Sequence, residues 1–285
     1  VLEWLWDVVT GPVLEKLGYT ATPNTPAVDG RWPRVWWIPT GALTVLPLHA
    51  AGHHDDPSGS RRAVLDRVVS SYTPSVRALG NARSVAHRTG NGGFAVGIND
   101  IPDRLDLHLE RAEPEAAAIA ARLQIQPLLG PDATRQAVLS GLPGAAWAHF
   151  SCHGLANQDD PSRSYLALVD GPLYAAELFN ARIEMPYLAY LSACTTAMGA
   201  VRLLDENISL AAAFQLAGFP HVIGTLWTIN DWVAERLARD LYQLVHPDAA
   251  TWHSPGLVLH DIVRRYRDRF RDDPDLWASH IHYGP

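Results

Sequence analysis

The chain has 285 residues, enough for one large α/β domain or two small ones with a substantial buried core. Its 47% hydrophobic and 19% charged content is that of a globular protein, and no apolar run nears the roughly 18 residues a membrane span needs. A net charge of -7 with a pI near 6.0 argues against a direct nucleic-acid surface, while two cysteines and no basic-then-apolar leader leave neither a disulfide framework nor a secretion signal, so a cytoplasmic protein is expected.

From the N-terminus, Leu2, Leu5, Trp6 and Val9 keep helical spacing, Gly11 and Pro12 interrupt it, and Leu14 and Leu17 resume it, which predicts a broken helix. The pattern starts at Val1 without a methionine, as expected of a fragment of a longer chain whose remainder carries regulation. After a polar loop, "RVWWIP" (34–39) and "TGALTVLPLHAAG" (40–52) read as buried strands, with Gly41 permitting a tight turn. "RVVSSY" (67–72) is a further strand, followed by a helix with Thr73 as N-cap and Pro74 at its first position. "FAVGI" (94–98) is a strand, and "EPEAAAIAARL" (113–123) a helix with Pro114 and acidic residues in its first turn.

Three more apolar runs have strand length: "AAWAHFSC" (145–152), "PYLAYLSAC" (186–194) and "HVIGTLW" (221–227). Helices follow on the spacings of Leu210, Phe214 and Ala217, then Val233, Leu237, Leu241 and Val245, then Val258, Ile262 and Tyr266. Strands buried on both faces and alternating with helices imply a mostly parallel sheet flanked by helices, and the short candidate linkers imply a single domain over 1–285.

In such a sheet the working residues sit beyond the carboxyl ends of the strands. His153, followed by Gly154, ends one run, and Cys194, followed by Thr195 and Thr196, ends another. Alternation along the first run puts His149, Ser151 and His153 on one face and Phe150 and Cys152 on the other, so Cys152 and His153 are a poor reactive pair despite being neighbours. An unperturbed thiol is only roughly 3% ionised at pH 7, so a nucleophilic cysteine needs a nearby imidazole or helix N-terminus. A glycine beside the histidine lets backbone approach a substrate carbonyl.

"AHFSCHG" (148–154) with "LSACTT" (191–196) resembles the CHAT domain, a branch of the caspase-like (clan CD) cysteine peptidases related to separase and caspases. The likeness extends over roughly residues 1 to 250, through "WWIPTGALTVLPLHA", "VVSSYTPSVRAL", "LYAAEL" and "ISLAAAFQLAGFPHVIGTLWTINDWVAERL". It implies a caspase-like three-layer sandwich in which 1–130 resembles a degenerate or N-terminal half and 131–285 carries the catalytic residues. It also implies a peptidase acting through a thioester acyl-enzyme, with His153 and Cys194 as the dyad, the backbone amides of Gly154 and Cys194 at the oxyanion, and no cofactor. The implied partners are a protein or peptide substrate and a regulatory repeat or sensor region in the same or another chain, with neither nucleic acid nor membrane. The loop "MGAVRLLDEN" (198–207) departs from the family in lacking a glycine-rich character.

Caspase-like peptidases select the residue before the cut with a pocket near the cysteine, which makes Asp231 and Glu206 candidates. A carboxylate there favours an arginine or lysine substrate. The competing readings are an N-cap at Asp231 and a helix-dipole partner at Glu206. His49, His53, His54, Cys152 and His153 lack the spacing of a zinc site, and no P-loop or G-x-S-x-G elbow is present. A catalytically silent caspase-like interaction module in a larger assembly is the alternative from another class.

Overall fold

The computed structural model describes residues 1–27, 32–56, 61–85, 90–102, 108–155, 157, 160–178, 180–181, 183–192, 210–245 and 254–285. Its strands are β1 (Arg34–Trp37), β2 (Val69–Tyr72), β3 (Gly93–Gly97), β4 (Gln126–Leu129), β5 (Trp147–Ser151), β6 (Gly154–Leu155), β7 (Tyr165–Leu168), β8 (Gly171–Tyr174), β9 (Leu188–Leu191), β10 (His221–Thr225) and β11 (His280–Tyr283). The helices are α1 (Leu2–Leu5), α2 (Gly11–Lys16), α3 (Val76–Val85), α4 (Ala112–Leu123), α5 (Arg135–Gly141), α6 (Ala175–Leu178), α7 (Leu210–Leu216), α8 (Asp231–Leu244) and α9 (Pro255–Arg269).

Eight strands form one sheet in the order β1-β2-β11-β10-β9-β5-β3-β4, and every pairing is parallel except β10 with β11. Five strands therefore run one way and β1, β2 and β11 the other. Helices α4, α8 and α9 cover one face, while α5 and α7 cover the other. Covering both faces is what a parallel sheet requires, and it explains why β5, β9 and β10 are buried along their whole length. A second, three-stranded antiparallel sheet, β6-β7-β8, stands at the carboxyl end of β5.

The apolar runs at 34–39, 67–72, 94–98, 145–152, 186–194 and 221–227 each contain the expected strand. Residues 40–52 differ: they form short 3-10 turns at Gly41–Val45 and Leu48–Ala50 rather than strands. Gly41 is in the left-handed region at φ 59°, and Pro47 lacks a ladder donor, so this run packs as turns against the N-terminal helix, with an isolated bridge from Gly52 to Ala63 at its end. The N-terminal helix is continuous, not broken. It widens into a π turn at Trp6–Thr10, and the Gly11 N–H bonds the Trp6 carbonyl, which accommodates Pro12 just beyond. Helix α3 begins after Ser75, whose Oγ accepts from the Ala78 N–H at 3.1 Å, so Ser75 takes the capping role expected of Thr73.

Polar atoms are concentrated where β11 enters the sheet. His49, His260, His280 and His282 line a cavity of about 20 Å³ with Tyr72 and Ser70. His282 lies 3.0 Å from His221 and 2.9 Å from the Ser71 hydroxyl. Burial holds the imidazoles of His49, His260 and His280 down at about 3, so all three are neutral in the fold.

In the unfolded chain those rings protonate near pH 6.5, so their contribution is complete above that pH and is lost progressively as pH falls toward 3. At pH 5 the cost is about 2 kcal/mol for each ring, comparable in sum to a typical domain stability of about 5–15 kcal/mol. Urea unfolding followed between pH 7.5 and 5 is therefore expected to show a steep loss of stability below pH 6.5; a flat profile would contradict the neutral buried rings.

Candidate active site

The carboxyl ends of β5 and β9 lie side by side at the middle of the sheet. Trp147 faces Leu188 and Phe150 faces Leu191, a constant offset of 41 residues (191 − 150). Alternation along β5 has the expected outcome. Phe150 and Cys152 pack into the core with Phe94, Leu166 and Phe214, whereas His149 and Ser151 face α4 and α8. Cys152 is 1% exposed in that core.

Helix α4 delivers a buried carboxylate to this strand end. Glu115 is 3% exposed, and its Oε2 accepts the Ser151 hydroxyl at 3.1 Å. Its Oε1 is 3.1 Å from His149 Nε2, an electrostatic contact rather than an aligned hydrogen bond. The other His149 nitrogen lies 3.4 Å from the Tyr242 hydroxyl, and the ring packs against Tyr190 and Tyr242. Burial first, and the Glu115 charge second, push both tyrosine hydroxyls well above their usual range. Placement in the first turn of α4 favours the Glu115 charge, because the exposed N–H groups there carry positive potential.

The helix comes this close because β3 ends in glycine. A Cβ on Gly97 would stand 2.8 Å from the Ala112 carbonyl oxygen and 2.8 Å from both Ala116 Cβ and Glu113 Cα. Asn99 then locks the helix start, its side chain accepting from the Glu113 N–H at 2.9 Å and its N–H donating to the Glu113 carboxylate at 3.3 Å.

His153 follows β5 by two residues and is half-buried. Its carbonyl accepts the Ala167 N–H at 2.8 Å, tying it to β7. That bond flanks the Gly154 and Leu166 pair, which is thus of the non-hydrogen-bonded kind, and the Gly154 N–H turns away from β7. Cys194 and Glu206 lie outside the described residues; β9 ends at Leu191 and is followed by Ser192, which is buried.

Asp231 is not the N-cap. Asn230 holds that place, accepting the Trp232 N–H at 3.1 Å, and Asp231 is the first helical residue of α8. Asp231 lines a cavity of about 20 Å³ with Glu115, Ser151, Cys152, Ser192 and Arg111. Burial raises its pKa above the usual carboxylate value. The Glu110 backbone N–H and the charge of His153 pull it down, and the charge of Glu115 adds to the rise. Arg111 pairs with Glu235 at 2.6 Å.

The histidines weighed as metal ligands have other partners: His49 Nδ1 meets Tyr72 at 3.0 Å, His53 meets Asp7 at 2.7 Å, and His54 meets the Ala50 carbonyl at 2.8 Å. Among the described residues no three His, Cys, Asp or Glu side chains are grouped to hold a metal ion, and no helix is long and apolar enough to cross a membrane.

Sequence reasoning passed over Glu115, because an acidic first turn reads as a dipole partner. Its signal was positional: Ala112, Ala116, Ile119, Ala120 and Leu123 form the buried face of α4, and Glu115 falls on that face.

The sequence profile of one family, described as the CHAT domain, matches residues 1–285. No curated protein sequence matches the chain. Among solved structures, separase in its securin complex from Saccharomyces cerevisiae superposes with a TM-score of 0.61 at 14% identity, over 87% of this chain and 15% of that one. The pro- and mature domains of RgpB from Porphyromonas gingivalis give 0.59 at 12% identity, over 98% of this chain and 68% of that one. The Arg-specific cysteine proteinase gingipain R gives 0.55 at 12%, over 77% and 55%. These likenesses establish a shared fold, and the chain spans only a small part of separase.

The closeness of α4 to β3 is testable by itself. Gly97→Ala is expected to cost about 1–3 kcal/mol of stability in urea unfolding, because rigid backbone must move to admit the methyl group. An unchanged midpoint would show that α4 does not depend on that contact.

Proposed function

The chain belongs to the CHAT-domain family, and from that membership we propose that it is a cysteine peptidase cutting peptide bonds of a protein substrate through His153 and Cys194. The observation that carries the proposal is the place of His153 and Gly154 at the carboxyl end of β5, directly beside the parallel strand β9. The β5–β9 pairs are offset by 41 residues (188 − 147), and the same interval separates His153 from Cys194 in the sequence (194 − 153). The equal interval supports reading the two as partners, in a fold whose sites lie at the carboxyl ends of parallel strands.

In this reading the Cys194 thiolate attacks the scissile carbonyl carbon, forming a C–S bond while the carbonyl electrons move to oxygen. The Gly154 and Cys194 backbone N–H groups stabilise that oxyanion. Collapse breaks the C–N bond, and His153 gives its proton to the departing amine. Water then attacks the thioester and His153 takes the water's proton; the C–S bond breaks, the acid product leaves, and the Cys194 thiolate is restored beside protonated His153.

Asp231 is the carboxylate assigned to the pocket for the residue before the cut. Its cavity lies beside the end of β5, and its carboxyl feels the charge of His153. A basic substrate side chain fits that charge, in keeping with the arginine specificity of the gingipain that shares the fold. A fused or separate sensor region regulating the site completes the proposal.

Three variants test it with an unbiased peptide library and a thiol-directed probe. Cys194→Ala and His153→Ala are expected to abolish cleavage while leaving the fold intact, and Cys152→Ala to keep a substantial fraction. Retained cleavage in Cys194→Ala sinks the assignment. An unreactive Cys194 together with no cut peptide favours the silent module. Asp231→Asn is expected to raise KM for peptides with arginine or lysine before the cut and to leave kcat for a neutral residue nearly unchanged.

A further inference from the structure

Resting on the assignment of Asp231 to the substrate pocket, we infer that Glu115 is a second, buried carboxylate of that pocket, a positioning residue that acts through Asp231 to strengthen its hold on a cation. Glu115 on α4 and Asp231 on α8 line the same small cavity. The cavity, at about 20 Å³, holds about one water-sized group, so only the charged tip of an incoming side chain enters. Of the two, Glu115 is 3% exposed, and Asp231 stands half-buried at the start of α8.

The charges around the pair leave this demand in place. Ser151 offers Glu115 a neutral hydroxyl, and His149 meets its other oxygen without an aligned hydrogen bond. Arg111, the basic residue among the described lining, is turned to Glu235 on α8. The remaining groups that act on Asp231 are His153 beyond β5, His108, which pairs with Asp100 at 2.8 Å, and the Glu110 backbone N–H. The two carboxylates therefore repel each other across a space with little solvent to screen them, and the charge of Glu115 raises the Asp231 pKa. A substrate cation at Asp231 relieves that repulsion, so Glu115 contributes to binding without touching the reacting atoms.

Glu115→Gln separates this role from a structural one, because glutamine keeps the volume and still accepts the Ser151 hydroxyl. Carboxyl-carbon NMR titration of Asp231 is expected to show its midpoint falling in Glu115→Gln and holding in Glu115→Asp. Peptides with arginine, lysine and norleucine before the cut provide the second readout: Glu115→Gln raises KM several-fold for the first two and leaves norleucine and kcat unmoved. An unchanged Asp231 titration in folded Glu115→Gln, or an equal effect on all three peptides, would overturn the inference. Should the wild-type chain cut none of the peptides and Cys194 prove unreactive to the thiol probe, the peptidase reading fails, and the Asp231 titration alone decides the role of Glu115.

Discussion

Parallel pairing of β5 with β9 in the middle of the sheet is the constraint on which the rest of the arrangement depends. Parallel neighbours end at the same level, so whatever follows β5 and β9 emerges at one edge of the sheet. The pairing also requires helices on both faces, because an exposed face of so apolar a sheet would be unstable in water. Helices α4 and α8, which cover one face, bring Glu115 and Asp231 to that same edge. The candidate site thus follows from sheet geometry rather than from a dedicated loop.

Buried ionisable groups are handled in two ways. Near β11 the imidazoles stay neutral, and burial holds three of them far below their ordinary value. Beneath the end of β5, Glu115 sits close to a helix N-terminus with a hydroxyl donor and His149 nearby. The first arrangement costs stability only when the solvent is acidic. The second maintains a negative field beside Asp231 and depends on Gly97, whose missing side chain lets α4 approach. The family shares its fold with much larger proteins, and this chain covers 15% of separase.

Much of this was legible because period carries over from sequence to structure. The strand within residues 145–152, the inward turn of Cys152 and the helices α4, α8 and α9 all follow from apolar spacing. Where the local pattern was weak, reading failed. Strand β4 contains Pro127, tolerated because it lies at the sheet edge, and β11 alternates histidines that look solvated until the sheet encloses them. Residues 40–52 have strand composition without a ladder to join, so they pack as turns.

By itself the sequence determined the types of the strongly periodic elements, the faces of β5 and the pairing of motifs that marks the family, because these depend on residues close in the chain. It also supplied the 41-residue interval between His153 and Cys194, without saying that β5 and β9 would pair with the same offset. Tertiary structure alone decided that β11 enters antiparallel beside β10, that Asn230 rather than Asp231 caps α8, and that Glu115 and Asp231 share a cavity. Those outcomes depend on which surfaces meet across the sheet, and a carboxylate's role is set by the charges and solvent around it, which no local spacing records.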